Sequence, residues 1–272
     1  MAIFGYSQLA FYVKCPFRFY LERVKRVEVP LDERRHYIGT VLAIVLDTFY
    51  KSQRWRSANP LPLMAADVQA AAATVDTVST CPWLPGERDQ KLAEATSLLP
   101  TILDTLRQER LLGLRTFTEL DVEIRLGKDR VVGRPDLVIE SPAGEPGLWV
   151  VDGKAGGTLG RHVSTNQLRF YALGLVEHQR FQRPPDRAGF WWFRHGTVVW
   201  KKVTMATLDK FRTSIVETIQ RLRDKDFQPK PSADCRLCDV RAHCPTGQAY
   251  LQARVAGKVA LEIDGNLGVV SL

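Results

Sequence analysis

The residues best suited to chemistry in this chain are Asp136, Asp152 and Lys154, in the short sequences Gly-Arg-Pro-Asp and Val-Asp-Gly-Lys. Mg²⁺ prefers oxygen ligands, keeps several waters, and takes one or two protein carboxylates together with a substrate phosphate. A metal held in this way lowers the pKa of a bound water and stabilises the charge that builds on a scissile phosphate. A nearby ammonium can orient the nucleophile or share that charge. The three residues therefore predict metal-dependent phosphodiester cleavage.

Two strands must position these side chains. Residues 130–139 alternate between apolar and polar side chains, and residues 148–151 are all apolar. These patterns predict strands that end at Asp136 and Asp152, with a turn at 141–144 between them. Because residues two apart on a strand share a face, Asp152 and Lys154 point the same way, and Gly153 can offer its carbonyl to the metal. The alternative is a surface hairpin with an exposed ion pair worth about 0–1 kcal/mol. The apolar run before Asp152 favours the buried site.

A helix is predicted directly after these strands. Leu168, Ala172 and Leu175 have helical spacing, and Gln167 and Tyr171 are four apart, so these two share one helix face. An ordinary amphipathic helix with a solvated Gln and a half-buried Tyr is the alternative interpretation.

Three of the five cysteines form the pattern Cys-x2-Cys-x5-Cys at Cys235, Cys238 and Cys244. A fourth thiol is needed to complete a metal site, and Cys15 is the expected partner, with His243 a minor rival. Thiolates prefer soft metals, so zinc and an iron-sulfur cluster both remain open on spacing alone. Disulfides are less favoured because residues 1–20 lack a secretory apolar core, which predicts a reducing, cytoplasmic location.

Taken together, the carboxylates, the lysine and the helix pair resemble the RecB-like branch of the PD-(D/E)XK nuclease superfamily, whose pattern is Gly-x-x-Asp, then Asp-x-Lys, then Gln-x-x-x-Tyr. The resemblance implies an α/β, restriction-endonuclease-like core with a mixed central β-sheet flanked by helices. It implies Mg²⁺ or Mn²⁺ on Asp136 and Asp152, Lys154 as the catalytic lysine, and Gln167 and Tyr171 as residues that support the site or contact DNA. Glu123 is expected as an auxiliary acid on a strand face shared with Glu119 and Asp121.

The same resemblance extends to the cysteines. Its AddB-like and CRISPR-adaptation members carry one N-terminal Cys-Pro and a C-terminal Cys-x2-Cys-x5-Cys-Pro, and Pro16 and Pro245 match here. By this likeness, the four thiolates of Cys15, Cys235, Cys238 and Cys244 would hold a 4Fe-4S cluster that joins the N- and C-terminal regions. Cys81 has no place in the scheme and is expected to be a plain thiol.

One position departs from the family pattern. Ala43 stands four residues after Gly39, where the family usually has a metal-binding histidine, and His36 is two helical turns away. The resemblance implies a DNA exonuclease acting on single-stranded ends in repair, recombination or CRISPR adaptation, with proteins of those pathways as further partners. Ala43 leaves a second interpretation, a catalytically impaired DNA-binding or assembly subunit, whether the alanine is natural or an introduced inactivating substitution.

Composition limits the class of protein and the kinds of partner that the chain can have. The chain has 272 residues, 45% of them hydrophobic, a net charge of +8 and a pI near 9.4, which suits a polyanionic partner. No apolar run approaches the 18 residues or so of a membrane span, so no membrane association is expected. We predict one nuclease domain over 1–272. Its segments are 1–55 with the first cluster ligand and core helix, 60–113 as a helical insertion, 114–228 as the core, and 229–272 with the cysteine cluster.

Overall fold

The computed structural model describes residues 1–28, 34, 36–78, 82–141, 147–156 and 164–256. The chain divides into two compact units, one of Met1–Tyr6 with Asp32–Ser214 and the other of Ser7–Leu31 with Ile215–Leu272. Across the described ranges, no helix has the length and apolar character that crossing a membrane requires. Cys81 and the predicted turn at 142–144 lie outside the described residues.

In the described part of the first unit, eight strands form two sheets. In chain order they are β1 (Ile3–Gly5), β2 (Arg115–Thr118), β3 (Val122–Leu126), β4 (Asp129–Gly133), β5 (Leu137–Glu140), β6 (Leu148–Lys154), β7 (Arg187–Trp192) and β8 (Thr197–Lys201). The larger sheet has the order β2-β5-β6-β7-β8 and the smaller one the order β1-β4-β3. Both sheets are mixed, because β6 pairs with β7 and β1 with β4 in parallel, while the other pairs are antiparallel.

Nine α-helices accompany the strands in the described part of the chain. They are α1 (Tyr6–Lys14), α2 (Pro16–Phe19), α3 (Tyr37–Lys51), α4 (Leu61–Val78), α5 (Glu87–Ser97), α6 (Leu99–Gln108), α7 (Asn166–Glu177), α8 (Met205–Arg223) and α9 (Pro245–Val255). The predicted α/β class with helices flanking mixed sheets is confirmed, although the strands form two sheets where one was expected.

The larger sheet separates two layers of helix. Leu137, Ile139 and Val151 share a core with α3–α6, where the predicted apolar face of α3 is buried. Helix α7 packs against β3, β6 and β7. Because successive side chains on a strand alternate between faces, Val150 and Asp152 point to the face opposite Val151. The catalytic candidates on β6 therefore lie on the face opposite the α3–α6 core.

The predicted strand at 130–139 is interrupted. Residues up to Gly133 belong to β4 of the smaller sheet, and those from Leu137 belong to β5 of the larger one. Arg134 and Pro135 explain the break, because proline lacks a backbone donor and restricts the residue before it. Asp136 therefore directly precedes β5 rather than ending a strand, and Asp152 lies inside β6. The predicted β5–β6 pairing itself is confirmed, with Leu137 opposite Val151.

The second unit has a small core of its own. Leu21, Val240 and Cys244 are buried together there, with Phe17, Tyr20, Val27 and Cys238 packed against them. The Tyr12 hydroxyl, which is fully buried with its ring, donates a 2.6 Å hydrogen bond to the carbonyl of Asp226. This bond ties the beginning of the chain to its last third.

Candidate active site

A cleft of about 380 Å³ brings the predicted chemical residues together. Its walls come from α3, the segment after β2, the beginning of β5, the end of β6 and the first turns of α7. All five predicted catalytic residues line it, as does Gly153; the five are Asp136, Asp152, Lys154, Gln167 and Tyr171. The grouping expected from the sequence is therefore present, and every one of these residues belongs to the first unit.

Asp136 is held by the strand beside it. Its Oδ2 accepts a 2.6 Å hydrogen bond from the backbone N–H of Gly153. Burial raises the pKa of Asp136 to about 7, and the nearby Asp152 carboxylate adds to the rise, while the Gly153 N–H and Lys154 oppose it. A raised pKa means that the charged form lacks stabilisation in the bare cleft, which a cation would supply.

Gly153 must be a glycine for a steric reason. A Cβ built on this residue would lie 2.4 Å from Cζ of Phe193. The ring of Phe193 thus occupies the space beside the strand, while the backbone N–H of Gly153 donates to Asp136. A larger residue here would displace either the ring or the strand.

Asp152 is almost fully buried and is surrounded by polar groups. Its Oδ1 accepts hydrogen bonds from Gln167 Nε2 at 2.8 Å and from the Tyr171 hydroxyl at 3.2 Å. Lys154 Nζ lies 2.5 Å from Oδ2, an oxygen that receives no well-aligned hydrogen bond from the described residues. Burial raises the pKa of Asp152, and Lys154 and Tyr171 act against that rise.

Gln167 connects the carboxylate to the lysine. Besides its bond to Asp152, it accepts from Lys154 Nζ at 3.1 Å and lies 2.9 Å from the Tyr171 hydroxyl. Burial, reinforced by the Asp152 charge, raises the pKa of Tyr171, which keeps its phenol protonated and able to donate. Lys154 also lies over the ring of Phe190, 5.4 Å from its centroid. The lysine is therefore fixed on several sides.

The donor set fits a hard divalent cation. Asp136 and Asp152 present carboxylate oxygens to one cleft, and two such ligands with waters suffice for Mg²⁺. No group of three or more His, Cys, Asp or Glu side chains is assembled as a metal site in the described ranges. The set thus remains the two-carboxylate arrangement predicted from the sequence, and the Gly153 carbonyl stays a predicted ligand.

The prediction that Glu123 is an auxiliary acid of the site is wrong. Glu123 lies on β3 outside the cleft, where it pairs with Arg125 at 2.8 Å and Arg130 at 2.9 Å. Glu119 lines the cleft instead. It precedes β3 and has a φ of +57°, so the two-residue period that linked it to Glu123 does not apply. The sequence contains no signal for that backbone change.

The α3 wall contains Ala43, the position at which the resemblance led us to expect a histidine. Ala43 lines the cleft, so a side chain at this position faces the site, and His36 at the beginning of the helix lines it too. Asp47, one turn after Ala43, accepts a short hydrogen bond from the Thr118 hydroxyl and forms an ion pair with Lys51 at 2.8 Å. The α3 acid thus fixes the segment that carries Glu119.

The four predicted cluster cysteines line a single pocket in the second unit. All four are free thiols. Cys235 Sγ accepts from the Ser232 N–H at 3.4 Å, and Cys244 Sγ accepts from the Gly247 N–H at 3.3 Å. Burial raises the pKa of Cys238. His243, the minor rival, is not among the residues that line the pocket.

Sequence comparison identifies a family model that matches residues 4–245, and its description is the PD-(D/E)XK nuclease superfamily. No curated protein matches the chain.

One solved structure supports the fold. A crystal structure described as "Putative exonuclease" from Eubacterium rectale aligns with a TM-score of 0.53 and 11% identity, covering 89% of this chain and 87% of that one. A second crystal structure, of a protein called SSO0001, has a TM-score of 0.33 and 15% identity, with 89% and 93% coverage. The first of these matches has the same fold as this chain.

Proposed function

Because the chain belongs to the PD-(D/E)XK nuclease superfamily, we propose that it is a Mg²⁺- or Mn²⁺-dependent deoxyribonuclease of the RecB-like branch that removes nucleotides from single-stranded DNA ends. The observation that supports this most strongly is the cleft, in which two carboxylates, a lysine and their helix partners meet. The basic net charge of +8 agrees with a polyanionic substrate. Repair, recombination or CRISPR adaptation are the pathways that this activity would serve.

Each residue has a separate task in this proposal. Asp136, Asp152 and the Gly153 carbonyl would hold the metal, which when bound supplies a water of lowered pKa and a positive charge for the scissile phosphate. Lys154 places an ammonium beside the phosphate and shares its developing negative charge. Gln167 and Tyr171 keep Asp152 and Lys154 in position through the hydrogen bonds described above.

The test is digestion of end-labelled single-stranded DNA with Mn²⁺. The parent protein, Lys154→Ala and Ala43→His are compared after circular dichroism shows that all three are folded. We expect cleavage by the parent, a loss of about 10²–10³-fold in Lys154→Ala, and faster cleavage by Ala43→His. No cleavage by either the parent or Ala43→His would exclude the enzyme.

Ala43 favours a second candidate, a DNA-binding or assembly subunit that has lost hydrolysis. In this candidate the cleft is one expected ligand short, and the 2.5 Å ion pair between Lys154 and Asp152 persists. DNA binding should then be unaffected by Mn²⁺ and by Lys154→Ala, and only Ala43→His should cleave. Cleavage by the parent protein would reject this candidate.

We also propose that Cys15, Cys235, Cys238 and Cys244 hold a 4Fe-4S cluster. Support comes from their common pocket and from the N–H groups directed at two of the sulfurs, which suit anionic thiolates. A Cβ on Gly247 would lie 3.3 Å from Cys244 Sγ, so a larger residue would crowd the sulfurs. The cluster's part would be structural, within the second unit.

Anaerobic purification followed by iron, sulfide and zinc analysis tests the cluster. We expect iron and sulfide in equal amounts, together with visible absorption. The Cys235→Ser variant should lose the iron, the sulfide and the absorption. Iron-free protein loaded with zinc would replace the cluster by a zinc site, and metal-free protein in which all five cysteine thiols are titratable would exclude both.

A further inference from the structure

A group of arginine and aromatic side chains lies at the edge of the larger sheet, outside the cleft. We call it the arginine–aromatic patch and define it as Arg115, Phe117, His178, Arg180 and Phe181. The Arg180 guanidinium lies 4.6 Å from the Phe117 ring centroid and 5.7 Å from that of Phe181. The Phe117 and Phe181 centroids are 5.6 Å apart and meet edge to face. Arg115 covers Phe117 from 5.4 Å, and His178 lies 5.2 Å from Phe181.

The patch is accessible and carries positive charge. The Arg115 side chain is 62% exposed and that of Arg180 is 35% exposed. Both guanidinium groups face one carboxylate, Glu140, at 3.8 Å and 2.9 Å. Two cations that share one anion leave a net positive charge, and both phenyl rings are only partly buried. The combination of planar rings, guanidinium groups and excess positive charge is suited to stacked bases and phosphates.

Strand register connects the patch to the cleft. Phe117 on β2 is opposite Val138 on β5, which is opposite Val150 on β6. Cross-strand partners share a sheet face, and Val150 shares its face with Asp152, two residues further along. Phe117 therefore lies on the face of Asp152, two strands away, which corresponds to about 10 Å across the sheet.

The chain itself also leads from the patch to the cleft. Thr118 and Glu119, which directly follow Phe117, line the cleft. A polymer lying on Arg115 and Phe117 would thus pass along β2 towards Asp136 and Asp152. A double helix could not bring its bases against these rings, whereas the unpaired bases of a single strand can stack on them.

We infer that the arginine–aromatic patch binds the single-stranded DNA segment adjoining the nucleotide in the cleft. This inference rests on the proposed function and adds to it a site that holds the substrate away from the reacting bond. The rings would stack on bases, and the edges of the guanidinium groups would contact phosphates. Substrates long enough to cover both cleft and patch would bind more tightly than those that fill the cleft alone.

Binding is measured first, in EDTA, by fluorescence anisotropy of labelled oligothymidylates of two lengths. One has about 2 nucleotides, too short to reach from the cleft to the patch at about 3.4 Å per nucleotide, and the other has about 16, the upper end of single-strand site sizes. The variants are Arg180→Gln, Arg180→Lys and Phe117→Leu. Arg187→Gln is the matched control, because Arg187 also lies over two rings, those of Trp149 at 5.5 Å and Trp200 at 5.7 Å. Thermal melts confirm that each variant is folded.

We expect Arg180→Gln and Phe117→Leu to weaken binding of the long oligonucleotide about tenfold and to leave the short one unchanged. Arg180→Lys keeps the positive charge and should retain the salt dependence of binding. Phe117→Leu removes a ring and should reduce the quenching of a 2-aminopurine placed in a second long oligonucleotide, which reports base stacking. Arg187→Gln should match the parent. Equal losses on both lengths, or the same loss in the control, would overturn the patch assignment.

Cleavage separates this inference from the proposed nuclease activity. An inactive chain whose long-oligonucleotide binding depends on Phe117 and Arg180 would support the patch and reject the nuclease. An active chain whose patch variants cut long and short DNA with parental KM values would reject the patch and support the nuclease.

Discussion

The amide nitrogen of Gln167 lies 2.8 Å from Oδ1 of Asp152, although 15 positions separate the two residues. The amide oxygen of the same Gln167 accepts from Lys154 at 3.1 Å. An amide has a donor end and an acceptor end, so one side chain can satisfy a carboxylate and an ammonium together. The first turn of α7 thereby fixes the relative positions of the acid and the lysine on β6.

Replacing Gln167 should impair catalysis without unfolding the chain. We expect Gln167→Ala to reduce kcat about 10–100-fold, the usual effect of losing a residue that orients a metal ligand. Gln167→Glu should be worse, because a second carboxylate would face Asp152 and cannot donate to it. Titration of activity with Mn²⁺ should show that both variants need more metal for half-maximal rate.

A neighbouring residue on α7 provides the control. Asn166 accepts a 2.7 Å hydrogen bond from Arg169 and does not line the cleft. Asn166→Ala should keep the parental rate and metal requirement. If it lost as much activity as Gln167→Ala, damage to the helix rather than to the amide bridge would be the cause.

Local periodicity explains which parts of the site were predictable. The helical spacing around Leu168 predicted α7, and the apolar run before Asp152 predicted β6, because each pattern reflects burial within one element. The transfer of the chain between sheets at residues 134–136 was not predictable, since its apolar alternation continues across the break. Periodicity reports which side chains are buried but not which sheet receives them.

The acidic residues at and just before β3 show a second limit of prediction from sequence. Glu119, Asp121 and Glu123 have the spacing of one strand face, yet β3 begins only at Val122, and Glu119 has a positive φ. A non-glycine residue in this conformation is uncommon and depends on tertiary context. The spacing alone did not distinguish the three acids, whereas the folded chain presents Glu119 to the cleft.

Gly153→Ala should destabilise the protein. The added methyl group would lie 2.4 Å from the Phe193 ring, so we expect a loss of about 1–3 kcal/mol in the free energy of unfolding, as for other overpacked sites. Urea denaturation measures this change. Adding Phe193→Leu should recover part of the loss, and Gly156→Ala, which has nothing within 4 Å of its Cβ, should be close to neutral.

Stability of the metal-free protein should depend on pH through Asp136. Burial raises the pKa of this carboxyl from 3.8 to about 7, so its charged form is less favourable in the folded than in the unfolded chain. Its contribution to stability is therefore greatest below the unfolded pKa and is lost as the pH rises through 7. Asp136→Asn should stabilise the metal-free protein in weakly alkaline buffer and have little effect in acid.

Urea unfolding in EDTA across this pH range measures the effect. Added Mg²⁺ should stabilise the parent in weakly alkaline buffer, because the cation compensates the buried charge, and should stabilise Asp136→Asn much less. A parent whose unfolding free energy rose between pH values of about 5 and 8 in EDTA, with no such rise in the variant, would contradict the predicted sign.

Glu119 and Glu123 should differ in their influence on the cleft. The charge of Glu119 contributes to the raised pKa of Asp136, whereas Glu123 is paired with Arg125 and Arg130 outside the cleft. Because Glu119 is half exposed, we expect Glu119→Gln to change Mn²⁺ affinity only about two- to threefold, in keeping with about 0.2–1 kcal/mol for exposed charges. It should also lower the pH midpoint of metal binding, since removing a negative charge favours ionised Asp136.

Isothermal titration at several pH values measures both effects, and Glu123→Gln is the matched control with parental values. If the two substitutions had equal effects, Glu119 would influence metal binding only through its long-range charge. Its position in the cleft would then have no influence of its own.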